Sequence, residues 1–179
     1  MGGAIELKSE VGVGTTVVVK IPFKIGTQDK ISNSPDNPVI LEDYSVEGMR
    51  ALVAEDNELN MEIAEFVLQN EGTVVTKAWN GQEAVDIFRK SSPGEFDAIL
   101  MDIMMPVMNG YEAAKMIRSL DREDAKVIPI IAMTANAFTE DKMRAKEAGM
   151  DEHIAKPVDG KLLVKVINEL VKRNQREKL

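Results

Sequence analysis

The chain reads as an α/β protein built on a parallel sheet with helices on both faces. Five short apolar runs, 51–54, 73–77, 98–101, 128–133 and 153–155, recur through its carboxyl-terminal two thirds. Segments with helical periodicity separate them, so strand and helix alternate along the chain. Several of the runs are apolar throughout rather than on alternate residues, which is the pattern of strands covered on both sides.

The elements follow in order. Ala51 to Ala54 is a strand, and Leu59 to Gln69 is an amphipathic helix with Leu59, Ile63, Phe66 and Val67 along one face. Gly72 ends that helix and Thr73 to Lys77 is the second strand. Gln82 to Phe88 is helical, Ala98 to Met101 a strand, and Tyr111 to Leu120 a helix. Ile128 to Met133 is a strand, Glu140 to Glu147 a helix, and His153 to Ala155 a short strand. Leu162, Leu163, Val166, Ile167, Leu170 and Val171 mark the inner face of a closing helix. By analogy with doubly wound folds and their right-handed crossovers, the expected arrangement is flavodoxin-like, (βα)5, with strand order 2-1-3-4-5.

The remaining sequence divides by composition. In residues 1–25 a strand pattern, a turn at Gly12 and Gly14, and the β-branched run Thr15 to Ile21 read as a hairpin-like extension. A hairpin of that size does not stand alone in water. Residues 26–48, with Pro35, Pro38 and a Ser/Asn/Asp cluster, have linker composition. The αβ repeat occupies 49–173, and 174–179 is a basic tail.

Composition excludes several classes. Of 179 residues 44% are hydrophobic, enough for an ordinary core, yet no apolar stretch approaches the roughly 18 to 20 residues of a membrane span. The first residues lack the pattern of a secretory signal. Absence of cysteine removes disulfides, thiol chemistry and Cys-based zinc sites, and a single histidine removes histidine-rich metal sites. The net charge of −8 is concentrated in the central region, so every nucleic-acid phosphate would be repelled. A cytoplasmic module without nucleic acid or direct membrane contact is expected.

In an open parallel sheet, chemistry collects beyond the carboxyl ends of the strands. There the first strand runs into Glu55 and Asp56, the third into Asp102, the fourth into Thr134 and the small Ala135, and the fifth into Lys156 and Pro157. Three crowded acids repel one another, and Mg²⁺, a hard oxygen-seeking cation, relieves that repulsion. The cation would also offset charge on a phosphoryl group in transfer. Lys156 is placed to pair with Asp102 at rest, and Thr134 to donate to a phosphoryl oxygen. Taken singly, such acids are as readily helix caps or surface charges; their joint order along the strands is what carries the reading.

With these residues in place, 49–173 resembles the response-regulator receiver family. The resemblance implies that the acid pair of VAEDNELN, Glu55 and Asp56, binds metal and that Asp102 of LMDIMMPVMNG is the phosphoacceptor. It puts a metal-coordinating backbone carbonyl on Met104, a loop-shaping proline on Pro106 and a glycine on Gly110. The switch hydroxyl falls on Thr134 of MTANA, and the lysine is Lys156, joined by a cis peptide to Pro157. Where the family often has Tyr or Phe, this chain has His153, either a partly buried polar residue or the switch side chain. MGGAIELKSEVGVGTTVVVKIPF resembles the last strands of a histidine-kinase ATPase domain, without the parts that hold ATP.

Three functions are weighed. A phosphorelay element would accept phosphate from a sensor histidine kinase and pass it to a histidine phosphotransfer partner, or regulate an attached kinase. A single-domain regulator would act through phosphorylation-dependent contact, with a homodimer compatible with either. A kinase parent would tether the piece at the inner face of a membrane. An unrelated enzyme on the same fold is the third; Met104 replaces the second aspartate of a haloacid-dehalogenase-like hydrolase, and Glu55-Asp56-Asn57-Glu58 is no flavin phosphate loop.

Overall fold

The computed structural model describes residues 3–10, 12, 14–22, 45–134, 139–156 and 158–176. The chain divides into two compact units, 1–40 and 41–179. In the first, β1 (Ala4–Glu10) and β2 (Gly14–Lys20) form an antiparallel hairpin. Its register sets Ile5 opposite Val19 and Leu7 opposite Val17, so one face is apolar. The other face carries Glu6 and Lys20, whose side chains pair at 2.5 Å. All four apolar residues are exposed.

The second unit opens with β3 (Arg50–Ala54), α1 (Glu58–Asn70), β4 (Val74–Ala78) and α2 (Gly81–Lys90). Then follow β5 (Ala98–Asp102), α3 (Gly110–Arg118), α4 (Glu123–Val127), β6 (Ile130–Thr134), α5 (Thr139–Glu147), β7 (Glu152–Ala155) and α6 (Gly160–Arg176). The strands pair in parallel in the order β4-β3-β5-β6-β7, which is the expected 2-1-3-4-5. Alternate strand residues feed two separate cores. Leu52, Ile99, Met101 and Ile130 join α2 and α3 on one face. Val53, Leu100, Ile131 and Met133 join α1 and α6 on the other. The apolar runs lack alternation because both sheet faces are covered.

Helix starts are fixed by the same device three times. Asn57, Asn80 and Asn109 accept from the backbone N–H of Asn60, Glu83 and Glu112, and Asn109 with Glu112 completes a capping box. These caps sit just past β3, β4 and in the loop after β5, so three helices begin at the carboxyl edge.

The structure decides which stripe of α1 packs inward. Met61, Ala64 and Leu68 face the core, whereas Leu59 and Phe66 are 64% and 67% exposed and Ile63 is partly so. Val67 is partly buried and abuts Gly160, where a Cβ would lie 2.9 Å from it. The helix carries two apolar stripes, and small Ala64 lets the second one approach the sheet.

Two fastenings were not expected from sequence. Val46 is buried among α1 and α6 residues, with its carbonyl accepting from Thr73 Oγ1 at 3.1 Å. Beside it Asn168 Nδ2 donates to Ser45 O at 2.6 Å, and Gly48 N donates to Gly72 O at 2.9 Å. Elsewhere Arg122, at the start of α4, donates to the carbonyls of Phe88, Ser91 and Ser92 at 2.5, 3.0 and 3.2 Å. It thereby satisfies carbonyls left open at the end of α2, and its guanidinium lies 4.4 Å from the Phe88 ring centre.

Candidate acidic site at the carboxyl edge of the sheet

Asp102 is the last residue of β5, the central strand, and Glu55 follows β3 beside it. Both are buried, while the neighbouring Asp56 is exposed. One carboxylate oxygen from each of the three lies within 4.8 Å of the others. Lys156, just after β7, reaches in with Nζ 2.8 Å from Asp102 Oδ2 and 2.5 Å from Glu55 Oε2. The backbone N–H of Lys156 donates to Thr134 O at 2.8 Å, which holds the lysine in register with the end of β6.

Each acid is oriented locally. Glu55 Oε1 accepts from Asn57 N at 3.3 Å and Asn60 Nδ2 at 3.0 Å. Asp102 Oδ1 accepts from Met104 N at 3.3 Å. Burial pushes the Asp102 carboxyl above its ordinary value; Lys156 opposes that shift and Glu55 adds to it. With three carboxylates facing one ammonium, the cluster has an unmet negative charge. Its all-oxygen donors suit a hard divalent cation.

The loop after β5 is shaped by two backbone constraints. Gly110 N donates to Ile103 O at 3.0 Å, and a Cβ on Gly110 would lie 2.2 Å from Asp102 O. Only glycine fits there. Val107 has φ +67°, and Met108 N donates across it to Pro106 O at 2.7 Å. This is a γ-turn of the positive-φ form, the rarer and more strained kind. For a β-branched residue such a backbone costs on the order of 1–3 kcal/mol.

Glu55, Asp56, Asp102 and Lys156 thus come together as the sequence suggests. Thr134 ends β6 at the same edge and is buried. Met104 offers its N–H to Asp102, and the residue is 79% exposed. His153 is not part of this cluster. It lines a cavity of about 440 Å³ with Lys142, Lys146, Met150 and Arg173, its Nδ1 2.9 Å from Glu152 Oε1. Ala135 and the Lys156–Pro157 peptide lie outside the described residues. Sequence reasoning missed Asn60, whose only signal is a polar residue in the first turn after the acid pair. It also missed the Glu55–Lys156 pair, since Lys156 was matched to Asp102 alone.

A parallel five-stranded sheet with this cluster at its carboxyl edge defines a receiver-type domain. Residues 51–168 match the response regulator receiver domain, and the chain belongs to that family. It is 37% identical over 160 residues to Histidine kinase 1 of Arabidopsis thaliana, covering 72% of this chain and 13% of that one. It is 32% identical over 170 residues to the aerobic respiration control sensor protein ArcB of Escherichia coli K12, covering 94% and 20%. A third relative is hybrid signal transduction histidine kinase I of Dictyostelium discoideum, 40% identical over 121 residues, covering 66% and 7%. The chain therefore spans a fifth or less of the length of these curated relatives.

Among solved structures, it is similar to the receiver domain of a sensor histidine kinase from Pseudomonas aeruginosa PAO1, which has magnesium coordinated in its active-site cleft. The TM-score is 0.63 at 35% identity, covering 70% of this chain and 98% of that one. Chemotaxis protein CheY4 of Vibrio cholerae gives a TM-score of 0.62 at 29% identity, covering 68% and 98%.

Proposed function

We propose that Asp102 accepts a phosphoryl group from a phosphohistidine of a sensor kinase and hands it to a histidine phosphotransfer partner. The observation that carries this is the buried Asp102 at a strand end, with Glu55 and Asp56 within 4.8 Å and Lys156 at 2.8 Å. In the forward step an Asp102 oxygen bonds to phosphorus, the P–N bond to imidazole breaks, and the ring nitrogen leaves with the electron pair. Lys156 neutralises the acceptor at rest and afterward holds a phosphoryl oxygen. Thr134 donates its hydroxyl to another, and the movement is passed to the His153 flank.

Asp56, Asp102 and the Met104 carbonyl would hold Mg²⁺ directly, with Glu55 supporting. When bound, the ion offsets the charge that builds between carboxylate and phosphoryl oxygens. Leu59, Ile63 and Phe66 on α1 line a shallow cavity of about 460 Å³ with Glu62 and Glu65, on the helix that begins beside the acids. That stripe gives a histidine-bearing helical partner an apolar seat and an acidic rim. The exposed apolar face of the β1–β2 hairpin supports its reading as the end of a kinase ATPase domain. No described helix is long and apolar enough to cross a membrane, and a kinase parent would hold this piece at the cytoplasmic face.

Intact mass after incubation with Mg²⁺ and acetyl phosphate tests the chemistry. One phosphate on the wild type and none on Asp102→Asn is expected. Labelling of the variant would place the acceptor elsewhere.

A further inference from the structure

We propose that Val107 is a specificity anchor, held out by a strained γ-turn to seat in an apolar depression on the protein that presents the phosphohistidine. The inference rests on the relay reading above and adds the residue that selects the donor.

Val107 serves the fold in neither respect that a valine ordinarily does. It is 83% exposed and belongs to neither core cluster, so it contributes no burial. Its φ of +67° is one that glycine adopts freely and a β-branched residue resists. Both terms would improve with glycine. Strain of this kind persists only where the surroundings impose it, and here they do. Met105 is buried just before the turn, the Met108 N–H closes it onto Pro106 O, and Gly110 N ties the far side to Ile103 O. Asn109 then caps α3. A stiff, fixed loop therefore presents one compact apolar side chain to solvent.

Its place in the chain makes the presentation useful. The loop begins at Asp102, and Val107 stands between the acidic cluster and the start of α3, at the sheet edge where a donor must approach. An incoming phosphoryl group is anionic and makes the same contacts with Asp102 and Lys156 whichever protein carries it. Discrimination among donors must come from groups around the acids, and a preorganised apolar knob selects by shape with little ordering penalty. A donor with a depression beside its histidine is accepted, and one with a charged or bulky residue there is excluded.

The test compares a small donor with a protein donor. Val107→Gly removes knob and strain together; Val107→Asn removes the knob while tolerating the left-handed backbone. Acetyl phosphate with Mg²⁺ should label wild type and both variants at equal rates. The protein donors are the ATP-charged kinase portions of the three relatives named above, and the one that charges the wild type fastest is used. Transfer from it should be about tenfold slower to both variants, equivalent to 1.4 kcal/mol, while both melt at higher temperature than wild type. Equal slowing with acetyl phosphate would show that Val107 shapes the acidic site instead, and unchanged transfer from the protein donor would show it idle; either overturns the proposal. A lower melting temperature for both variants would overturn the strain argument on which it stands. Failure of every kinase to charge the wild type, with acetyl phosphate labelling intact, would sink the relay reading and this inference with it.

Discussion

Asp102 and Asp124 are aspartates on the same domain, each beside a cation, and the fold treats them in opposite ways. Asp124 accepts both Arg122 contacts, at 2.9 and 2.6 Å, and the Gly94 N–H at 2.8 Å. The Arg122 hydrogen bond holds its carboxyl down at about 2. Asp102 shares Lys156 with Glu55, keeps one weak backbone donor, and is pushed upward by burial. One carboxylate is satisfied and locks a corner; the other is crowded and disfavoured in its ionised form. Partnership with a positive side chain does not by itself mark a stabilising ion pair. The sum of burial, neighbours and hydrogen bonds decides it.

Removing the clamp should have the largest effect on stability. Arg122→Ala strands the carbonyls of Phe88, Ser91 and Ser92 and leaves Asp124 without its counter-ion. A loss of about 3 kcal/mol is expected in urea unfolding, with acetyl phosphate labelling of the folded variant unchanged. An equal loss of labelling would blur the contrast between the two regions.

Acid should separate them next. Folding lowers Asp124 from 3.8 to about 2, so its stabilisation is complete above about pH 4 and disappears as pH falls toward 2. Because the side chain is 17% exposed, solvent screening trims the effect to about 1–2 kcal/mol. The stability gap between wild type and Asp124→Asn should close over that window.

The smallest effect should have the opposite sign. Folding raises the Asp102 carboxyl, so its ionised form weakens the fold at neutral pH. Asp102→Asn should therefore melt higher than wild type when divalent cations are absent. A lower melting point would show that the Lys156 pair outweighs burial.

Much of this was legible in the chain. Ala98 to Met101 and Ile128 to Met133 could be read as strands because burial on both faces leaves runs apolar throughout, and the acids could be placed because strands end where such runs end. The inner face of α1 was not legible because Leu59-Ile63-Phe66 and Met61-Ala64-Leu68 are both helical stripes. Periodicity cannot rank them; proximity to the sheet, permitted by Ala64, does. Helix α4 has only five residues, too few for a period. Arg122 and the Val46 anchor act across long sequence separations that no local pattern registers. The Val107 backbone escaped because valine is the residue least expected there.

The seat of Val46 bears on how a tethered donor would work. Ser45, Val46 and Gly48 are pinned by Asn168, Thr73 and Gly72 at the amino edge of the sheet. Asp102 stands at the opposite edge, a strand of five residues away, or about 17 Å. Under the proposed relay, a histidine carried on the same chain would be delivered from the edge opposite Asp102, and the local concentration it reaches would depend on the length of chain joining it to Ser45. Lengthening or shortening that stretch becomes a dial between delivery within one chain and delivery between two.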